Sequence, residues 1–190
     1  SGIEMQNTNG NTFTNNTANS NGSQGFRLAN SKGNTFTGNT ANSNGVMGNS
    51  SGGVGLFLVV AGGTGSNNNT FTKNTANSNA NHGMRIDGST GNTLTGNTFS
   101  SNGADGIKLK SGSINNTLRN NTLSLNAMGI EIGTSDIDAT SLTTINNKLT
   151  GNTAYGISNS GTGILNASQN YFGSNTGPTY PSNTGGTGNT

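Results

Sequence analysis

Half of the fourteen charged residues in this 190-residue chain recur at one place, just after a glycine in a short repeated string: Glu4, Arg27, Arg85, Asp87, Lys108, Lys110 and Glu131. Charged groups gathered this way suit polysaccharide chemistry. A lyase would want clustered carboxylates for calcium beside an Arg or Lys base, and a glycosidase two carboxyls at a set separation. Aligned on the glycine, however, Arg85, Lys108 and Glu131 follow one another in successive repeats, as do Asp87 and Lys110, so acids alternate with bases. That order predicts cross-strand ion pairs Asp87–Lys110 and Lys108–Glu131, each worth about 0.2–1 kcal/mol, rather than a catalytic cluster. Asp105 is the one acid near this strand with no evident partner, and a single acid is not a hydrolase. His82, the only histidine, precedes a glycine at a corner and reads as an exposed turn residue. Asp136 and Asp138 could contribute to a calcium site, but calcium needs about six to eight oxygens and no glycine-rich calcium loop is present. The expectation is therefore no catalytic residue and no cofactor, with glycan contact through Arg85, Asp87, Lys108, Lys110 and Glu131 as the weaker of two binding faces.

The other face is uncharged. Phe13, Phe36, Phe71 and Leu94 each sit between two threonines: Thr12 and Thr14, Thr35 and Thr37, Thr70 and Thr72, Thr93 and Thr95. If the apolar residue points inward, the threonines form two outward ranks, roughly 6.6–6.8 Å apart along a strand and about 4.8 Å apart between strands. Such an array resembles the ice-binding face of several unrelated antifreeze proteins. Arg119 and Lys148 are expected to interrupt it. Threonine also favours exposed strand positions on its own account.

What positions both faces is a repeat. Asn-Thr-x-Thr strings open at Asn11, Asn34, Asn69 and Asn92, Asn116 opens the related Asn-Thr-Leu-Arg, and Asn147 is read as the sixth; the basal step is 23 residues, with two longer ones. Apolar residues stand singly between polar ones, a period of two, and nowhere three and four apart as a helix requires. Strands of three or four residues cannot stand alone, so successive units must stack into parallel sheets. The result is all-β: a three-sided parallel β-helix of about 23 residues per turn and about seven turns. Asparagine recurs at the corners, where it tolerates left-handed backbone and can form amide ladders. Asn16, Asn39, Asn74, Asn97, Asn121 and Asn152 are read as one such ladder.

Asn92-Thr-Leu-Thr-Gly-Asn-Thr98 with the following Gly106-Ile-Lys-Leu109 resembles the right-handed β-helix repeats of bacterial and archaeal surface and periplasmic proteins, the NosD-like group with its carbohydrate-binding and sugar-hydrolase relatives. The resemblance covers about residues 1–173. It implies the handedness of the coil and an extracellular or cell-surface location, while members of the group do many different things.

One repeating plan implies one elongated domain over 1–190, with 1–10 an incomplete first turn, insertions at 46–54 and 134–145, and a Gly/Thr-rich tail at 174–190. The 46–54 insertion is expected to cover the outward Phe57 and Val59. Only 7% of residues are charged and the net charge is +2. This is too little for a nucleic-acid-binding stripe, and the aromatics that would stack on bases are committed inward by the pattern. The absence of Cys removes disulfides and thiol chemistry, and no apolar run is long enough to span a membrane. The leading expectation is a non-catalytic extracellular β-solenoid, structural, adhesive or glycan-contacting. Ice binding through the Thr ranks, a filament stacking end to end, and a lyase-like fragment are the alternatives.

Overall fold

A computed structural model of the chain describes residues 1–45 and 52–178. In chain order its strands are β1 (Ile3–Gln6), β2 (Thr12–Thr14), β3 (Phe26–Ala29), β4 (Thr35–Thr37), β5 (Leu56–Val59), β6 (Thr70–Thr72) and β7 (Met84–Asp87). They continue with β8 (Thr93–Thr95), β9 (Asp105–Lys110), β10 (Thr117–Arg119), β11 (Met128–Ile132), β12 (Thr143–Ile145) and β13 (Tyr155–Asn159). The odd-numbered strands β1 to β13 stack in order into one parallel sheet, and the even-numbered strands β2 to β12 into a second. The chain is a parallel β-helix of about six turns. Its third side is only one residue wide, a column of parallel bridges running Thr17, Thr40, Thr75, Thr98, Thr122, Lys148, Tyr171.

The period-two pattern decides which way each residue faces. In β4, β6 and β8 the middle Phe36, Phe71 and Leu94 are fully buried while the flanking threonines are half-exposed. The rings of Phe13, Phe36 and Phe71 stack with centroids 4.8 and 4.9 Å apart and planes within 13°. Each turn is thus close to a translated copy of the last. In the first sheet Phe26, Leu56, Met84, Ile107 and Ile130 form one inward column and Leu28, Leu58, Ile86, Leu109 and Ile132 the next.

Corners are held by asparagine. Asn39 donates its backbone N–H and its Nδ2 to Asn74 Oδ1, at 2.8 and 3.0 Å, and Asn74 does the same to Asn97. The remaining Nδ2 proton of Asn74 goes to Phe36 O of the preceding turn at 3.0 Å. The stacked amides that the bend buries thereby find partners without a charge. The glycine before the first inward residue of the first sheet's strands is required by close approach: a Cβ on Gly83 would lie 2.8 Å from Gly106 O and from Phe99 Cβ.

Two expectations change. Asn147 does not continue the first Asn column. It receives the N–H of Asn121 and so belongs to the second, while Asn152 receives the N–H of Asn126 and belongs to the third. Leu142 takes the vacated place, because a 3-10 turn at Ala139–Ser141 returns the chain to β12, which lies inside the stretch 134–145 read as insertion. The second change is that the extra residues of the second turn are divided. The register offset is 30 at Phe26/Leu56 and 35 at Ser31/Ser66, so a second excursion follows Val59 and closes through the Ala61–Thr64 bridge. Among the described residues the Arg85 guanidinium carbon lies 5.1 Å from the Phe57 ring centroid. Val46 and Met47, of the insertion expected to cover Phe57 and Val59, lie outside the described residues, as does most of the 174–190 tail.

Candidate functional site

On the outer face of the first sheet the register sets Glu4, Arg27, Phe57, Arg85, Lys108, Glu131 and Ser158 in one column. Asp87 and Lys110 are neighbours in the next. A third column, at the start of this face, holds His82 and Asp105, each immediately before the glycine of its turn. Two pairs three residues apart, on three consecutive turns, therefore meet at one patch.

His82 Nδ1 lies 3.0 Å from Asp105 Oδ2. The backbone N–H of Asp105 approaches the same nitrogen at 3.4 Å. With its proton on Nδ1 the imidazole makes the shorter contact as a hydrogen bond to the carboxylate. Lys108 Nζ contacts Glu131 Oε2 directly and stands 3.9 Å from Asp105 Oδ2. His82 is 8% exposed and Asp105 2%, so these groups are not solvated surface charges.

Burial opposes ionisation of Asp105, but hydrogen bonds with His82 and Glu131 and the charges of His82 and Lys108 outweigh it and hold its carboxyl below the ordinary range. Glu131 goes the other way. Burial, its hydrogen bond with Asp105 and the charge of Asp105 raise it, with Lys108 only partly compensating. The two carboxyls are thus pushed in opposite directions, Asp105 down beside His82 and Lys108 and Glu131 up by burial and by Asp105.

Lys108–Glu131 pairs as the spacing implies, whereas Asp87 does not turn to Lys110. Both its oxygens are taken by Arg85 of its own strand, at 3.0 and 2.6 Å. An i,i+2 pair on one strand face is nearer for a planar guanidinium than the next turn is for the flexible lysine. Glu4 pairs with Arg27. His82 was expected to be exposed and Asp105 unpartnered; instead they bury each other. The signal lies in the sequence, since each precedes the glycine of consecutive repeats.

The threonines expected to line the second sheet do so. Thr12, Thr35, Thr70, Thr93, Thr117 and Thr143 are in register as one column, and Thr14, Thr37, Thr72 and Thr95 as a second that continues into Arg119 and Ile145. Lys148 does not interrupt this face; it sits on the third side beside Thr122. That side adds a third column, Thr17, Thr40, Thr75, Thr98 and Thr122.

Asp138 caps the 3-10 turn, accepting from Thr140 N at 3.0 Å and Thr140 Oγ1 at 2.7 Å, and these bonds hold its carboxyl below the ordinary range. A bond with Thr134 lowers Asp136, whose backbone neighbours at Gly112 add to it. Both carboxylates thus serve local turns, and among the described residues no three His, Asp or Glu side chains are grouped as a metal site. An apolar cleft of about 430 Å³ near the last strand, lined by Ile157, Leu165, Phe172 and Pro178, includes none of the charged cluster. No helix among the described residues is long and apolar enough to cross a membrane.

The family described as "Right handed beta helix region" matches residues 1–177. Among solved structures the chain is similar to a mutant of the periplasmic alginate epimerase AlgG, with 21% identity and a TM-score of 0.68 over 88% of this chain. The match takes in 37% of the epimerase, so the chain spans well under half of that protein's length. A second structure, trypsin-treated QnrB1, a plasmid-mediated fluoroquinolone resistance protein, matches 74% of this chain and 82% of its own at 12% identity and a TM-score of 0.17. No curated protein is similar enough in sequence to match.

Proposed function

This chain belongs to the right-handed β-helix family, and we propose that it is an extracellular β-helix module that contacts a glycan through the charged face of the first sheet without turning it over. The observation that carries this reading is the convergence of His82, Asp105, Lys108 and Glu131 from three consecutive turns on one patch. In a chain with only 7% charged residues, a half-buried cluster costs desolvation that ion pairing alone repays poorly. Carboxylates, an ammonium and an imidazole held by a rigid sheet are the donors and acceptors that hydroxyl-rich ligands require. Likeness to an alginate epimerase supports a glycan as the ligand class, and its periplasmic origin supports an exported location.

What supports the non-catalytic half is pairing: Asp105 is committed to His82 at 3.0 Å and Glu131 to Lys108, whereas a glycosidase keeps two carboxyls available on either side of the scissile bond. A glycan array, followed by assays for release of reducing ends, unsaturated products or epimerised sugars, tests both halves of the proposal. Binding that disappears in Lys108→Ala without any turnover is the expected result. Turnover abolished by Lys108→Ala or Arg85→Ala would overturn the non-catalytic half.

A second reading rests on a separate observation. The eight hydroxyls of Thr12, Thr14, Thr35, Thr37, Thr70, Thr72, Thr93 and Thr95 make no hydrogen bond within the described protein, and the stacked rings beneath them fix their spacing at one strand per 4.8–4.9 Å. A rigid periodic hydroxyl lattice suits an ordered water surface such as ice. Thermal hysteresis lost in Thr72→Tyr would support this reading, and equal activity in that variant would remove it.

A further inference from the structure

We propose that the third side of the coil is a second ice-contacting face, separate from the Thr ranks of the second sheet. This rests on the ice-binding reading above and extends it from one face of the molecule to two.

The third side repeats the plan of the second sheet. Ala18, Ala41, Ala76, Phe99 and Leu123 point inward and are buried. Thr17, Thr40, Thr75, Thr98 and Thr122 stand outward just before them, joined turn to turn by parallel bridges. The hydrogen bonding is that of a parallel ladder: Thr40 N donates to Asn16 O and Ala18 N to Thr40 O, each at 2.8 Å. Successive hydroxyls are therefore about 4.8 Å apart. None of them makes a hydrogen bond within the described protein.

Just after the inward residue comes a further outward rank, Asn19, Asn42 and Asn77, which Ser100 continues. Asn19 Oδ1 accepts the backbone N–H of Asn42 at 2.7 Å, Asn42 Oδ1 that of Asn77 at 2.8 Å, and Asn77 Oδ1 that of Ser100 at 2.8 Å. Each amide is thus locked to the turn that follows it, while its Nδ2 group has no hydrogen-bond partner among the described residues. Fixed hydroxyls beside fixed amide donors can hold a layer of water in regular positions. Neither rank contains a charge or an aromatic ring until Lys148 and Tyr171 end the Thr column. Nothing before them offers a sugar ring a surface to stack on, which favours ordered water over a glycan on this side.

The two faces do not share a plane. Between them each turn bends at a residue with left-handed backbone, in order Asn15, Gly38, Lys73, Gly96 and Asn120. Lys73 is exposed at that edge, between Thr72 and Thr75, and belongs to neither rank. A flat crystal surface meets one face at a time, so each face selects a plane of its own.

A single ice crystal grown in a dilute solution of the fluorescently tagged chain shows which planes the protein decorates. The expected result is two sets of planes with the wild-type chain. Thr75→Tyr should remove one set and keep the other, and Thr72→Tyr should do the reverse. Tyrosine suits the fold at position 75, because Tyr171 stands in the same column at 45% exposure. Thr98→Lys, matching Lys148 of that column, is the second third-side variant, and circular-dichroism melts equal to wild type verify that both are folded. A single set of planes with the wild-type chain overturns the inference, as do both sets retained in both third-side variants; either result leaves the second sheet as the ice-contacting face. Loss of both sets in a folded third-side variant overturns the separateness of the two faces. No decoration of any plane by the wild-type chain discards this inference and the ice-binding reading together.

Discussion

His82 Nδ1 and Asp105 Oδ2 are 3.0 Å apart although the residues are 23 positions apart in sequence, one full turn of the coil. In a parallel β-helix such a separation is the nearest possible neighbourhood outside the strand itself, so residues one period apart are brought side by side by construction. The site is a product of the repeat.

Removing that partnership has a calculable cost. Asp105→Ala leaves His82 and Lys108 without the carboxylate between them, at a site 2% exposed. We expect a loss of about 1–3 kcal/mol, the cost of unpaired buried polar groups, measured by denaturant unfolding at neutral pH. A change under about 0.5 kcal/mol, the range of ordinary surface substitutions, would mean that the pair is not formed.

The two carboxyls give opposite pH limbs. Asp105 is lowered in the folded state, so its contribution to stability is present above the ordinary Asp range and is lost as pH falls through the depressed folded value. Glu131 is raised, so stability is full below its ordinary range and declines as pH rises through the elevated folded value. Thermal melts across pH should show a maximum between the two limbs. Glu131→Gln should remove the decline on the higher-pH side and leave the acid limb in place.

The Asn columns are expected to matter more than the ion pairs. Asn74→Ala would strand the N–H and Nδ2 of Asn39 and the carbonyl of Phe36. With about 1–3 kcal/mol for each stranded group and partial recovery by relaxation, we expect about 3 kcal/mol. Unfolding of Asn74→Ala beside an exposed control such as Asn9→Ala checks it.

The strands, their inward residues and the corner asparagines were legible from residue spacing, because each repeat reports the same pattern and a three-residue string such as Thr35-Phe36-Thr37 has one way to bury its phenyl ring. Register past Asn116 was not legible. Asn147 and Asn152 are five apart, as are Asn11 and Asn16, so a ladder shifted by one place fits the sequence equally well; the choice falls to Leu142, which can fill a buried corner as an apolar residue. The His82–Asp105 contact was within reach of the same alignment that paired Lys108 with Glu131. The Arg85–Asp87 pair was not, since rotamer choice, and not register, sends Asp87 to its own strand.

Phe71 has a buried ring stacked on Phe36, and Leu94 follows it in the next turn. Phe71→Ala is expected to cost about 3–5 kcal/mol and to spoil the spacing of Thr70 and Thr72 above it. Calorimetric unfolding measures the first effect. Loss of any hysteresis activity at temperatures where the variant is still folded would measure the second.

The measurement closest to the central claim is an NMR titration of the isotope-labelled chain with oligosaccharides, following the side-chain signals of His82, the protein's only histidine, together with the Lys108 and Glu131 resonances. The account predicts saturable shifts at these three residues and little change along Thr35, Thr70 and Thr93 on the other sheet. Saturable shifts confined to the Thr columns, or none with any glycan, would contradict it.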